Sequence, residues 1–239
     1  MKQLVLVSLL FVLSTNIFAQ TKTMMNAPAT HTAVSPLKTP MDSFSYAIGM
    51  NIAKNLKQSG VDTLSYAMLQ KGLLDEMKSK TMALTDQQSM SCIQQKMQVY
   101  ASNKINAEKA KGNAFLAANR QRPGVISLPD GMQYEVITKG NDTAASPTAK
   151  DTVMANYIGT TIDGKEFDNS YKRGQPLTIP VSGVIKGWTE ILQLMHPGDK
   201  WKVYIPSDLG YGDRGAGPNI PGGSTLIFEM ELLSVKPGK

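Results

Sequence analysis

A chain of 239 residues, of which 41% are hydrophobic, is long enough for two modest domains with buried cores. The net charge of +6 comes from the front half, since residues 42–122 hold eleven Lys and Arg against six Asp and Glu, whereas residues 123–239 hold eleven against thirteen. These cations are scattered and no aromatic platform lies among them, which argues against nucleic-acid binding. The single cysteine, Cys92, excludes an internal disulfide.

The first 19 residues have the pattern of an export signal. Lys2 precedes an apolar run that is too short for a comfortable membrane span, and Ala19 offers a small residue at a cleavage site. We therefore expect a signal peptide over residues 1–19 and export to the periplasm, with outer-membrane association or secretion as alternatives. Residues 20–41, rich in Thr, Ala, Pro and Met, are predicted to be a flexible tether.

Residues 42–122 have helical periodicity and are predicted to form an all-α domain. A first helix, with apolar residues every four positions, is predicted to be capped by Asp42 or Ser43 and to end at Gly60. Asp62 is predicted to cap a second helix.

A third, long helix is predicted to begin at a capping box formed by Thr85 and Gln88. It can continue to about residue 119, a length of about 50 Å. Two short helices offer too little surface to cover it. We therefore expect its apolar first part to contact a second copy of the chain, which makes residues 42–122 a helical dimerisation domain. A monomeric helical hairpin with a frayed, solvated end is the alternative.

A Pro-Gly break separates these helices from a second domain, residues 123–239, with about five strands and one short helix. Alternating apolar residues predict the strands, the longest over residues 152–160 and 225–235, and helical spacing predicts the helix within residues 184–195. The fold class is α+β, with a twisted antiparallel sheet wrapped around a short helix.

A Gly- and Pro-rich loop, residues 205–221 (IPSDLGYGDRGAGPNIP), connects two of these strands. Loops of this length in compact domains are usually functional or disordered, and the apolar residues at both ends favour the first. Tyr211 is the one aromatic residue in the loop.

The usual motifs of covalent or metal catalysis are missing from the second domain. It has no Cys–His pair, no HExxH and no phosphate loop, and its one histidine, His196, lies in a Pro-Gly turn after the helix. No metal and no cofactor is expected. Apolar side chains near turns could instead line a small ligand pocket: Tyr157, Phe167, Val184, Ile185, Trp188, Tyr211, Ile220 and Phe228.

Four segments of the second domain resemble the FKBP-type peptidyl-prolyl cis–trans isomerases, the macrolide-binding immunophilins. They are YIGTTIDGKEFDNSYKRGQPL, VIKGWTEIL, LGYGDRGAGPNIP and GGSTLIFEMELL, in this order between Val153 and Lys236. The exported leader and helical front half are similar to the periplasmic, dimeric macrophage-infectivity-potentiator group of that family.

The resemblance implies a pocket for a prolyl ring, with Asp168, Tyr211 and Tyr157 as candidate catalytic residues. The residues it implies for substrate binding are Trp188 as the floor, Phe167, Val184, Ile185 and Phe228 as walls, Ile220 at the end of a flap, and Arg173 as the partner of Asp168. Two departures from the family pattern bear on substrate preference. Leu177 takes a wall position often filled by Phe, and Ala216 and Gly217 stand where other members often carry a larger residue or His-Pro.

The resemblance also implies the function: isomerisation of X-Pro bonds in exported proteins during folding, without covalent catalysis. The expected partners are unfolded or partly folded proteins, a second copy of the chain and macrolide inhibitors, with no nucleic acid and no stable membrane span. The alternative is a holdase chaperone that uses the cleft of a helical dimer. An adaptable methionine surface favours it, unless these residues are ordinary core: Met68, Met77, Met82, Met90 and Met97.

Overall fold

The computed structural model describes residues 37–238. The signal peptide predicted over residues 1–19 and most of the tether predicted over residues 20–41 lie outside the described residues. Within the described residues, the boundary between two compact units lies between Ala47 and Ile48. Among the helices of the described part, none is both long and apolar enough to cross a membrane.

The first helix, α1 (Pro40–Gln58), begins at a capping box. Thr39 Oγ1 accepts a hydrogen bond from the backbone N–H of Asp42 at 3.1 Å, and Asp42 Oδ2 accepts one from the backbone N–H of Thr39 at 2.8 Å. The prediction that Asp42 or Ser43 is the cap was wrong, because an acidic residue three positions after the cap completes the same motif. Gly60, with a φ of +87°, follows the helix end as predicted.

The second helix, α2 (Tyr66–Met77), begins later than predicted, with Ser65 at its N-cap. Asp62 was wrongly predicted to be the cap, since residues 61–65 are not helical and its carboxylate accepts a hydrogen bond from the neighbouring Thr63 hydroxyl at 2.8 Å instead.

The third helix, α3 (Asp86–Asn119), has 34 residues and is therefore about 51 Å long. Both bonds of the predicted capping box are present. The Thr85 backbone N–H donates to the Gln88 side chain at 2.9 Å, and the Gln88 backbone N–H donates to the Thr85 hydroxyl at 3.2 Å. Large apolar side chains on α2 and the first half of α3 are exposed in the single chain, among them Met68, Leu73, Met77, Met90 and Ile93.

Within residues 37–238, seven antiparallel strands form one sheet: β1 (Val125–Ser127), β2 (Gln133–Thr138), β3 (Thr152–Thr161), β4 (Glu166–Asn169), β5 (Leu177–Pro180), β6 (Lys200–Ile205) and β7 (Leu226–Lys236). Their order in the sheet is β1-β2-β6-β7-β3-β4, with β5 paired to β3. About five were predicted. The short β1 was missed because three residues carry no detectable alternation.

A one-turn helix, α4 (Ser170–Arg173), follows β4, and the short helix α5 (Lys186–Leu192) packs on the sheet. Gly187 allows this close approach, because a Cβ there would lie 2.6 Å from Ile205 Cγ2. The buried core lies between α5 and the sheet, which confirms the α+β class and the sheet wrapped around a short helix. The connection between β6 and β7, residues 206–225, is called the flap below.

Candidate active site

A cavity of about 580 Å³ opens between the sheet, α5 and the flap, a volume in the ordinary range for small-ligand sites. Nine of the ten residues predicted for the site line this cavity. The tenth, Arg173, does not line it but contacts two residues that do, Asp168 and Tyr157. The lining residues are Tyr157, Phe167, Asp168, Leu177, Ile179, Gly183, Val184, Ile185, Trp188, Tyr211, Ile220 and Phe228.

Four aromatic rings form the floor and one side of the cavity. The Trp188 ring, presented by α5, meets the Tyr157 ring edge-on with centroids 4.9 Å apart and the Phe228 ring at 5.2 Å. Phe167 in turn meets Phe228 edge-on at 5.6 Å. Edge-to-face contacts of this kind hold each ring at a fixed angle. Trp188 Nε1 is buried without a hydrogen-bond partner anywhere in residues 37–238.

Gly159, near the C-terminal end of β3, makes room for these rings and was not predicted. A Cβ there would lie 2.5 Å from Phe167 Cε2 and 2.9 Å from Phe228 Cε1, so no side chain fits without moving a wall of the cavity. A glycine inside a strand with strong alternation is a sign of such a close approach. The glycine is visible in the sequence, but the sequence does not show that the rings of Phe167 and Phe228 are what approaches it.

The acidic residue of the cavity, Asp168, is held by three partners. Its carboxylate accepts hydrogen bonds from the Tyr157 hydroxyl and the Arg173 guanidinium, and from the Asn169 backbone N–H at 2.8 Å. Arg173 Nη2 also donates to the Tyr157 hydroxyl at 3.0 Å, and its Cζ lies 5.3 Å from the centroid of the Tyr157 ring. These contacts fix the orientation of Tyr157.

The electrostatics of this cluster keep Tyr157 neutral. Burial and the hydrogen bond to Asp168 raise the pKa of Tyr157 above its usual value, although the nearby Arg173 opposes the shift. The Asp168–Arg173 pair itself is partly open to water, with side chains 39% and 40% exposed. Its effect on global stability is therefore small.

The flap contributes Tyr211 and Ile220 to the lining of the cavity. The Ala216 backbone N–H donates to the Ile220 carbonyl at 2.8 Å, which closes the flap tip into a narrow turn. Gly215, with a φ of +66°, lies under this turn, and a Cβ there would lie 2.2 Å from the Ile220 oxygen. Burial raises the pKa of Tyr211, and its hydroxyl has no hydrogen-bond partner within the described part of the chain.

A second unpaired donor lies at the start of α5. Ile185 is the N-cap residue, and its carbonyl accepts hydrogen bonds from the backbone N–H groups of Trp188 and Thr189. Its own N–H donates to no backbone or side-chain group among residues 37–238. An unpaired backbone donor beside a cavity is available to a ligand carbonyl.

The aliphatic side of the cavity is made by Leu177 and Ile179 of β5, with Val184 and Gly183 beyond them. Ile179 and Gly183 were not predicted as site residues. Ile179 could have been found, because residues two apart on a strand face the same side. At the flap tip, Gly217 has a φ of +60° and no atom within 4 Å of its Cβ position, so nothing packs against it.

His196 lies elsewhere. Its Nδ1 is 2.7 Å from the Ala144 carbonyl oxygen and 3.4 Å from Ser146 Oγ, and it does not line the cavity. No group of three His, Cys, Asp or Glu side chains that could hold a metal ion occurs in the part of the chain that the structure describes.

Comparison with known proteins assigns both halves of the chain. Residues 143–233 match the family described as FKBP-type peptidyl-prolyl cis–trans isomerase, and residues 41–136 match the family described as the domain amino terminal to it. The Legionella longbeachae protein named outer membrane protein MIP is 42% identical, over 89% of this chain and 93% of its own length.

Two further relatives are a named isomerase and a solved structure. The Coxiella burnetii peptidyl-prolyl cis–trans isomerase Mip is 40% identical over 85% of this chain and 90% of its own length. The crystal structure of FkpA from Escherichia coli superposes with a TM-score of 0.63 at 35% identity, covering 84% of this chain and 99% of that one. The holdase alternative gains no support from these relatives.

Proposed function

Because the chain belongs to the FKBP-type peptidyl-prolyl cis–trans isomerases, we propose that its cavity binds the proline ring of an X-Pro bond over Trp188. The observation that carries this proposal is a cavity walled by aromatic and aliphatic side chains, with Asp168 as its one charged lining residue. Two donors without partners in residues 37–238, the Tyr211 hydroxyl and the Ile185 N–H, lie beside it.

An apolar cavity favours the reaction without a nucleophile. A prolyl amide resists rotation because resonance gives its C–N bond double-bond character, with a barrier of about 20 kcal/mol. The twisted amide has lost this conjugation and part of its charge separation, so it loses less than the planar form on leaving water. A cavity that excludes water therefore stabilises the transition state relative to the ground state.

The polar groups orient the substrate rather than react with it. The Ile185 N–H and the Tyr211 hydroxyl would donate to substrate carbonyls on either side of the prolyl bond. Asp168, held by Arg173, would position Tyr157 and shape the electric field at the twisting bond. An acceleration of a hundredfold to a millionfold requires only about 3–8 kcal/mol, which desolvation and orientation together can supply.

Replacement of Tyr211 by phenylalanine tests the assignment of the flap hydroxyl. We expect kcat/KM for a short X-Pro peptide to fall about threefold to tenfold, because one hydrogen bond of about 0.5–1.5 kcal/mol to the substrate is lost. The measurement is isomerisation by the full-length protein in a protease-coupled assay, repeated by exchange NMR without protease.

Tyr171→Phe is the matched control. It also removes one tyrosine hydroxyl, but that hydroxyl donates to Glu231 at 2.8 Å on the surface and does not line the cavity. Its kcat/KM should equal that of wild type. If Tyr211→Phe and Tyr171→Phe behave alike, the flap hydroxyl does not bind substrate. A wild-type protein that fails to isomerise the peptide would sink the proposed role of the cavity as a whole.

We further propose that the enzyme is exported and acts on unfolded or partly folded proteins outside the cytoplasm, in the periplasm. The leader pattern over residues 1–19 supports this, as does a relative that is named an outer membrane protein. X-Pro isomerisation takes tens of seconds uncatalysed and can limit folding, so such clients would gain from it. The cavity is also large enough for part of a macrolide inhibitor, which would compete with the X-Pro peptide.

Residues 42–122 are proposed to be the dimerisation domain, and residues 123–239 the isomerase domain. Exposed apolar side chains on α2 and α3 support this, because Leu73, Met90 and Ile93 are each at least 60% exposed in the single chain. Apolar surface of this extent on a folded chain marks an interaction site.

Ile93→Glu is expected to produce a monomer. Ile93 is 60% exposed on α3, so a glutamate at this position would place a charge in the proposed interface. That charge would be buried there without a partner. Light scattering should give about half the wild-type molar mass at micromolar concentration. Gln94→Glu, which adds the same charge at the next exposed position of α3, should stay dimeric. A wild-type molar mass of one chain would contradict the dimer.

A further inference from the structure

The long helix α3 contacts the flap directly. Lys109 Nζ lies 3.2 Å from Asp208 Oδ1 and 2.7 Å from Asp213 Oδ1, so one ammonium group pairs with two flap carboxylates. These two acidic residues stand on either side of Tyr211 in the chain. The Lys109 side chain is only 31% exposed, and both pairs raise its pKa, the hydrogen bond to Asp213 most.

The same helix also touches the end of the flap. A Cβ at Gly223, where φ is +84°, would lie 2.6 Å from the Ile105 carbonyl oxygen, so the flap backbone lies directly on α3. A Cβ at Gly112 would lie 2.2 Å from Thr225 Oγ1. Ile105, Lys109 and Gly112 are four and three positions apart and therefore share one face of α3. This face holds both the beginning and the end of the flap.

Tyr211 depends on this support. Its hydroxyl makes no hydrogen bond within residues 37–238, and the residue as a whole is 39% exposed, so its position follows that of the flap backbone. The adjacent Gly212 N–H donates to the Ser207 carbonyl at 2.8 Å, and the Gly223 N–H donates to the Gly212 carbonyl at 2.9 Å. These bonds link the turn that carries Tyr211 to the two segments that rest on α3.

We propose that α3 braces the flap, and that Lys109 is a positioning residue that holds Tyr211 over the cavity by pairing with Asp208 and Asp213. This inference rests on the proposed role of the cavity. Without the ammonium group, two carboxylates of like charge flank Tyr211 and repel each other. The helix α3, which connects the proposed dimerisation domain to the isomerase domain, then also supports the active-site flap. Exposed ion pairs contribute little to global stability, so the effect is local.

The test compares Lys109→Gln with Lys111→Gln in the full-length protein. Lys111 is on the same helix and pairs with Glu108 at 3.4 Å, not with the flap. At low ionic strength we expect Lys109→Gln to lower kcat/KM for an X-Pro peptide about threefold, mainly by raising KM. The exchange rates of the Gly212 and Gly223 amide hydrogens should rise by a similar factor, while those in β6 and β7 stay unchanged.

Three further results complete the test. Lys109→Arg should have the wild-type kcat/KM and the wild-type exchange rates at Gly212 and Gly223, because its guanidinium can pair with both carboxylates. Asp213→Asn should reproduce part of the loss. Raising the salt concentration should bring wild type towards Lys109→Gln, because screening weakens the exposed pairs.

The brace is wrong if Lys109→Gln and Lys111→Gln have the same flap exchange and the same kcat/KM, or if Lys109→Gln loses protection throughout the sheet, which marks general destabilisation. Either result would contradict only the brace, and not the proposed function, if the wild type is active and Tyr211→Phe is impaired. An inactive wild type would overturn the proposed function, and the exchange rates would still decide the brace.

Discussion

Gly159→Ala is expected to lower kcat/KM for an X-Pro peptide about tenfold to a hundredfold. The added Cβ would lie 2.5 Å from Phe167 Cε2 and 2.9 Å from Phe228 Cε1, so both rings must move. Overpacking of this kind costs about 1–3 kcal/mol. The rings have the sheet behind them and the cavity in front, so their displacement narrows the space for proline. The measurements are kcat/KM and the midpoint of thermal unfolding.

A rescue variant separates occlusion from simple destabilisation. Phe167→Leu shortens the side chain that the new methyl group would strike, so Gly159→Ala combined with Phe167→Leu should recover part of the lost kcat/KM. Gly72→Ala, in α2 with no atom within 4 Å of the added Cβ, should keep wild-type activity and gain up to about 1 kcal/mol of stability. Gly159→Ala with wild-type kcat/KM would show that the cavity does not need these ring positions.

Periodicity was enough to predict four elements of the second domain, β3, β6, β7 and α5. The alternation of β3, β6 and β7 and the helical spacing around Trp188 are long and regular, and these elements lie within a few residues of their predicted bounds. The helix starts were less well predicted. Aspartate is common at helix caps, within the first turn and in the turns that precede a helix. Asp42 and Asp62 therefore each suggested a cap, although Asp42 lies in the first turn of α1 after Thr39 and Asp62 lies in the non-helical segment before Ser65.

Contacts between distant parts of the chain could not be predicted. Lys109 lies about a hundred residues before Asp208 and Asp213, and nothing near it in the sequence distinguishes it from Lys111. Gly159 and Gly223 are each visible as glycines, but only the fold shows which backbone or ring approaches them. Eight of the residues that line the cavity were predicted as apolar side chains near turns, and the family resemblance added Asp168 and Leu177. The residues that support the cavity required the structure.

The largest electrostatic effect is expected for Asp168→Asn, which keeps the shape of the side chain and removes its charge. We expect kcat/KM to fall about tenfold, because charge-assisted hydrogen bonds to Tyr157 and Arg173 are lost and Tyr157 is no longer held in place. The thermal midpoint should change little, since the Asp168 and Arg173 side chains are 39% and 40% exposed.

Glu166→Gln is the matched control. It removes a carboxylate two residues away that pairs with Lys172 at 2.8 Å and does not line the cavity, so its kcat/KM should match that of wild type. The alternative is that Asp168 and Arg173 form only a structural ion pair. In that case Asp168→Asn would lower the thermal midpoint and leave kcat/KM unchanged well below it. If kcat/KM falls while the thermal midpoint stays unchanged, the Asp168 carboxylate takes part in the reaction. It does so by holding the ring of Tyr157 in place beside Trp188.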